Sequence, residues 1–90
     1  MKVLLVEDDE RTAAFIIKGL KQAGYVVEHA VDGESGLSLA RSGQFAAAVV
    51  DIMLPERDGL SMVEQLRLHK VLTPVIILSA KSTVDDRIKG

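Results

Sequence analysis

Val3-Leu4-Leu5-Val6-Glu7-Asp8-Asp9-Glu10 decides the fold: four aliphatic residues run without interruption into four acids. A run with no polar alternation reads as a strand buried on both faces, which is the habit of parallel sheets covered by helices on either side. The acids then mark the strand's carboxyl end. Beyond them the apolar period changes: Thr12, Phe15, Ile16, Gly19, Leu20 and Ala23 fall on one side of a helix, and Gly24 supplies its stop. One strand followed by one helix is the first unit of an alternating chain.

The same unit recurs. Residues 25–30, Tyr25-Val26-Val27-Glu28-His29-Ala30, form a second strand of mixed polarity suited to a sheet edge, and Asp32-Gly33 turns the chain into a short helix whose inward residues are Gly36, Leu37 and Ala40. Phe45-Ala46-Ala47-Ala48-Val49-Val50 is too short between Gly43-Gln44 and Asp51 to be a helix, so it is read as a third, central strand. A Pro- and Gly-bearing loop over residues 52–59 leads to a helix with Gly59, Met62, Val63 and Leu66 inward. Thr73-Pro74 opens the fourth strand, Val75-Ile76-Ile77-Leu78, and Ser82 or Thr83 with Asp85 and Asp86 marks the start of a fourth helix. Strands and helices alternating with short links predict an α/β domain with a parallel sheet and right-handed crossovers.

Composition narrows the function. The 90 residues carry 11 Lys and Arg against 13 Asp and Glu, a formal net charge of −2, so the basic face that nucleic-acid binding needs is missing. There is no cysteine, hence no disulfide framework, thiolate metal site or cysteine nucleophile, a composition compatible with a reducing cytosol. The opening apolar run is too short for a signal peptide or a membrane span, and residues 1–90 are read as one domain.

In an open parallel sheet, ligands meet the carboxyl ends of the strands. Strand one delivers Glu7, Asp8 and Asp9 there, strand three Asp51 and strand four Ser79, while strand two ends in Ala30-Val31 and offers nothing. Crowded carboxylates either share a proton or bind a cation, and an oxygen-only set suits Mg²⁺ with sites left open for phosphate oxygens. An Asp so placed can act as a nucleophile toward a phosphoryl group. Plainer readings compete. Asp8 and Asp9 both sit where a helix N-cap is wanted, and capping alone explains at least one of them, as well as a metal role does for Asp9 and less well for Asp8. An isolated Glu7 is ordinarily solvated, and a hydroxyl after a strand, as at Ser79, commonly satisfies local backbone. Asp51 has no capping duty and is the residue a functional reading explains best. His29 and His69 have no acid partner at ligand spacing and are expected to be exposed. Other phosphate-handling motifs are missing: there is no G-x-x-x-x-G-K-[ST], the turn after strand one has acids where a dinucleotide fingerprint has glycines, and no second acid stands two residues after Asp51.

Val6-Glu7-Asp8-Asp9, Val50-Asp51-Ile52-Met53-Leu54-Pro55, Asp58-Gly59 and Leu78-Ser79-Ala80-Lys81 together resemble the receiver domain of two-component response regulators. Asp51-Ile52-Met53-Leu54-Pro55 and the closing Asp86-Arg87-Ile88-Lys89-Gly90 are similar to the subgroup joined to winged-helix DNA-binding domains, the OmpR/PhoB-like regulators. The resemblance implies a flavodoxin-like (CheY-like) doubly wound sheet of strand order 2-1-3-4, with the family's fifth strand, its lysine and the fifth helix lying past residue 90. It implies Asp51 as phospho-acceptor, Asp8 as a direct Mg²⁺ ligand, Glu7 as a ligand through water, the Met53 backbone carbonyl as a further ligand, and Ser79 as the switch hydroxyl with the small Ala80 beside it. Ala46 departs from the pattern, standing where the family often has an acid. The implied partners are a sensor histidine kinase, a second copy on phosphorylation, and DNA only through a further domain, in the cytoplasm and away from membranes. The other reading is a receiver-like interaction module that works without phosphorylation, but such a module need not keep Glu7, Asp8 and Asp51.

Overall fold

The computed structural model describes residues 1–52, 54 and 59–78. The strands are β1 (Lys2–Val6), β2 (Val26–Ala30), β3 (Ala47–Asp51) and β4 (Val75–Leu78), and the helices between them are α1 (Glu10–Gln22), α2 (Gly33–Ser42) and α3 (Gly59–Leu68). All the pairings are parallel and the sheet runs β2-β1-β3-β4, the expected order. The reversal of strand order falls between β1 and β3, where Val6 pairs with Val50. Their carboxyl ends therefore open onto one crevice.

The continuous apolar runs of β1 and β3 are buried on both faces, as the sequence predicts for β1, whereas that of β4 is only partly buried. Leu4, Val6, Ala48 and Val50 face α2 and α3 together with Leu37, Ala40, Met62 and Leu66, whereas Val3, Leu5 and Val49 face α1 through Ala13. Since β1 and β3 are central, their side chains are locked by packing above and below, and the residues at their ends inherit that rigidity.

The inward face of α1 is a correction. Phe15 is 79% exposed, and Thr12, Gly19 and Ala23 are exposed too; the helix packs through Ala13, Ile16, Ile17 and Leu20. Two apolar stripes share Ile16 and Leu20, and the cap selects between them. Asp9 accepts from both the backbone N–H and the hydroxyl of Thr12, which holds Thr12 at the outer rim of the first turn and turns Ala13 inward. At the other end the chain leaves the helix through Gly24, whose φ of 95° lies in the left-handed region that glycine adopts without strain.

Small boundary shifts have local causes. Tyr25 donates to the Leu20 carbonyl and so closes α1 before β2 begins at Val26. Phe45 and Ala46 precede β3, with Phe45 buried under α2, while Asp51 is drawn into the strand by its pairing with Leu78. The predicted fourth helix lies outside the described residues. β4 closes the described sheet on one side, and its Ile76 is 55% exposed.

Candidate functional site

β1 and β3 place Glu7, Asp8 and Asp51 at the crevice, and each can contribute one carboxylate oxygen to a group whose atoms lie within 4.8 Å of one another. The three are not equivalent. Glu7 is 4% exposed and Asp51 7% exposed, forming the floor, while Asp8 is exposed at the mouth. The plainer reading of Glu7 as a solvated acid thus fails: the parallel ladder continues one step past β1, with the Glu7 N–H donating to the Ala30 carbonyl at 3.0 Å, and this carries Glu7 under the rim.

Electrostatics follow from that burial. The Glu7 carboxyl is pushed up to about 7 from an ordinary 4.5, chiefly because burial disfavours its charged form. The Asp9 N–H, donating to Glu7 Oε2 at 3.0 Å, works against the rise, and the hydrogen bond with Asp51 together with the charges of Asp51 and Asp8 adds to it. Glu7 therefore keeps its proton to a higher pH than an ordinary carboxyl, first because it is buried and then because two other carboxylates stand beside it. A divalent cation would relieve the repulsion among the three, and the all-oxygen donor set fits a hard ion such as Mg²⁺.

Asp9 stands apart from this group. It caps α1, accepting from Thr12 N at 2.9 Å, and the two Thr12 hydrogen bonds hold its carboxyl below the usual range. Of the other expected site residues, the Met53 carbonyl and Ser79, with the small Ala80 beside it, lie outside the described residues. Ile52 N–H donates to the Leu78 carbonyl at 2.8 Å, so the strand that precedes Ser79 runs beside the one that carries Asp51.

The sequence reading missed one residue. His29 is exposed, as expected, but its Nε2 lies 2.7 Å from the backbone carbonyl of Glu7. Strand two therefore does reach the crevice, from one position before its end. The available signal was positional: a long polar side chain near the carboxyl end of the strand flanking β1.

Comparison with known proteins agrees with the fold. The family described as response regulator receiver domain matches residues 3–90. The transcriptional regulatory protein HprR of Escherichia coli (strain K12) is 47% identical over 90 residues, which are the whole of this chain and 40% of HprR. The chain thus spans well under half the length of this relative. Among solved structures, the Francisella response regulator 1452 receiver domain superposes with a TM-score of 0.86 at 36% identity, covering 98% of this chain and 73% of that one. The response regulator TrrA from Thermotoga maritima, solved in complex with Mg²⁺ and BeF, gives a TM-score of 0.85 at 28% identity over 90% of this chain and 70% of its own. TrrA has also been solved in complex with the histidine kinase ThkA, with a TM-score of 0.83 at 28% identity over 92% of this chain and 72% of that one.

Proposed function

The chain belongs to the response regulator receiver domain family, and from that premise we propose that Asp51 is a phospho-acceptor that takes a phosphoryl group from the phosphohistidine of a sensor histidine kinase. A carboxylate oxygen of Asp51 forms the new O–P bond as the P–N bond to the donor imidazole breaks, and the imidazole leaves with the electron pair. The observation that carries this reading is the convergence of Asp51, Glu7 and Asp8 at the carboxyl ends of two adjacent central strands. Burial on a rigid strand presents Asp51 in one orientation, which lowers the entropic cost of the in-line attack.

In this reading Asp8 and Asp51 would hold Mg²⁺ directly and Glu7 through water, with the Met53 carbonyl as the further ligand that the family resemblance implies. The bound ion supplies charge neutralisation on the transferred group. Glu7 must give up its proton for the site to load, and the Asp9 N–H on its Oε2 stabilises the anion that remains. Ser79 supplies the switch hydroxyl, bonding a phosphoryl oxygen in the phosphorylated state. The complex of TrrA with a histidine kinase supports the donor class, and the complex of TrrA with Mg²⁺ and BeF supports the cofactor. The readout is phosphorylation-dependent homodimerisation that controls a DNA-binding output domain outside these residues, a reading supported by the name of HprR. Phosphotransfer and dephosphorylation would be self-catalysed at most.

The test is intact mass after incubation with acetyl phosphate and Mg²⁺. One phosphoryl group per chain is expected on the wild type and none on Asp51→Asn; stoichiometric addition to the variant would overturn the assignment.

A further inference from the structure

Besides its hydrogen bond with Asp51, Glu7 is held at its backbone and at Oε2, and one of these contacts comes from a side chain that the phosphorylation reading does not use. Its N–H donates to the Ala30 carbonyl, and its Oε2 accepts from Asp9 N. In a parallel ladder with Val6 opposite Ala30, the Glu7 carbonyl would next accept from the N–H of Asp32. By then β2 has ended, and Asp32 is the N-cap of α2, its side chain accepting from Ser35 N at 2.7 Å. The imidazole of His29 provides a donor instead, with Nε2 2.7 Å from that carbonyl oxygen. A carbonyl only accepts, so Nε2 carries the proton.

The Glu7 carbonyl belongs to the peptide that leads into Asp8, the exposed member of the carboxylate group. Fixing that carbonyl fixes the peptide plane and, with it, the positions of the Asp8 nitrogen and α-carbon from which the side chain leaves. We propose that His29 is a positioning residue for the acidic crevice: by donating from Nε2 to the Glu7 carbonyl, it holds the Glu7–Asp8 peptide in the orientation that lets Asp8 meet a divalent cation. This rests on the reading of the crevice as a Mg²⁺-dependent phosphorylation site. A purely structural role would affect β2 and the stability of the fold and leave metal affinity alone.

The experiment compares the full chain with His29→Ala and His29→Gln, the glutamine keeping an N–H donor at comparable reach. In the metal-free wild type, at a pH where the ring is neutral, ¹⁵N NMR of the imidazole is expected to show the Nε2–H tautomer. Titration with Mg²⁺ alone, followed by the Asp8 amide resonance, is expected to give His29→Ala a roughly three- to tenfold weaker affinity, the equivalent of one hydrogen bond, and His29→Gln close to the wild-type value. Phosphorylation by acetyl phosphate at saturating Mg²⁺ is expected to be equal in all three, so that the defect lies in metal loading. The Nδ1–H tautomer in the wild type, an unchanged affinity in His29→Ala, or equal losses in both variants would overturn the positioning role. A wild type that loads Mg²⁺ but accepts no phosphoryl group overturns the phosphorylation reading alone, whereas one that binds no Mg²⁺ overturns both.

Discussion

The α-carbon of Gly59 faces the backbone of Asp51 so closely that a Cβ built there would stand 2.5 Å from the Asp51 carbonyl oxygen and 2.9 Å from the Ile52 Cα. Helix α3 starts against the main chain of the acidic residue, and Gly59 N–H donates to the Ile52 carbonyl at 2.9 Å, which binds the two segments further.

The first prediction comes from that approach. Both clashing partners are backbone, so Gly59→Ala has to move either α3 or the end of β3, at a cost of about 1–3 kcal/mol. Gly19, in the middle of α1 with nothing within 4 Å of a built Cβ, is the control. Gly19→Ala should stabilise by about 0.5–1 kcal/mol through helix propensity. Urea denaturation measures both, and equal effects of the two substitutions would contradict the packing argument.

A second prediction concerns pH. Folded Glu7 holds its proton to about 7, whereas the unfolded chain releases it near 4.5. Between these values the folded chain binds more protons than the unfolded one, so stability must fall as pH rises through this window, by about 3 kcal/mol in total without metal. Glu7→Gln should abolish the fall and leave the chain more stable than wild type at about pH 8. Apparent Mg²⁺ affinity should rise by about tenfold per pH unit below about 7 and flatten above it, because loading expels the proton. Denaturation and Mg²⁺ titrations across this range check both; a wild-type stability that climbs from about pH 5 to 7 would show the sign to be wrong.

Neighbouring acids should behave differently, which is the third prediction. Asp8→Ala should abolish Mg²⁺ binding. Asp9→Ala should cost about 1 kcal/mol of helix capping and leave the affinity near wild type. Calorimetric titration with Mg²⁺ distinguishes them, and equal losses would show that the roles of the two neighbours are assigned wrongly.

Much of this was legible in the sequence, for identifiable reasons. Residues 3–6 and 48–50 carry strands without alternation because they are buried on both faces of a parallel sheet, and the acids at residues 7 and 51 stand out as polar groups directly after such runs. What the sequence hid depends on orientation. The rotation of α1 that exposes Phe15 is set by the bonds between Asp9 and Thr12, because two overlapping apolar stripes satisfy the same period. Burial of Glu7 depends on the ladder running one residue past β1, which residue type does not report. His29 was passed over because its partner is a backbone carbonyl, and every residue has one.

The fourth prediction concerns readout. Ser79→Ala should leave Asp51 able to accept a phosphoryl group while weakening phosphate-dependent dimerisation, since the hydroxyl serves one of two conformations. Light scattering with and without phosphodonor measures it. Dimerisation identical to wild type would remove Ser79 from the switch.

The central claim is the identity of the acceptor atom, and borohydride reduction followed by peptide mapping tests it most directly. Reduction converts an aspartyl phosphate to homoserine at the position that carried it. After treatment with acetyl phosphate and Mg²⁺, homoserine is predicted at residue 51 and at no other acidic position; homoserine at residue 8 or 9, or its complete absence from a chain whose intact mass shows added phosphate, would contradict the account.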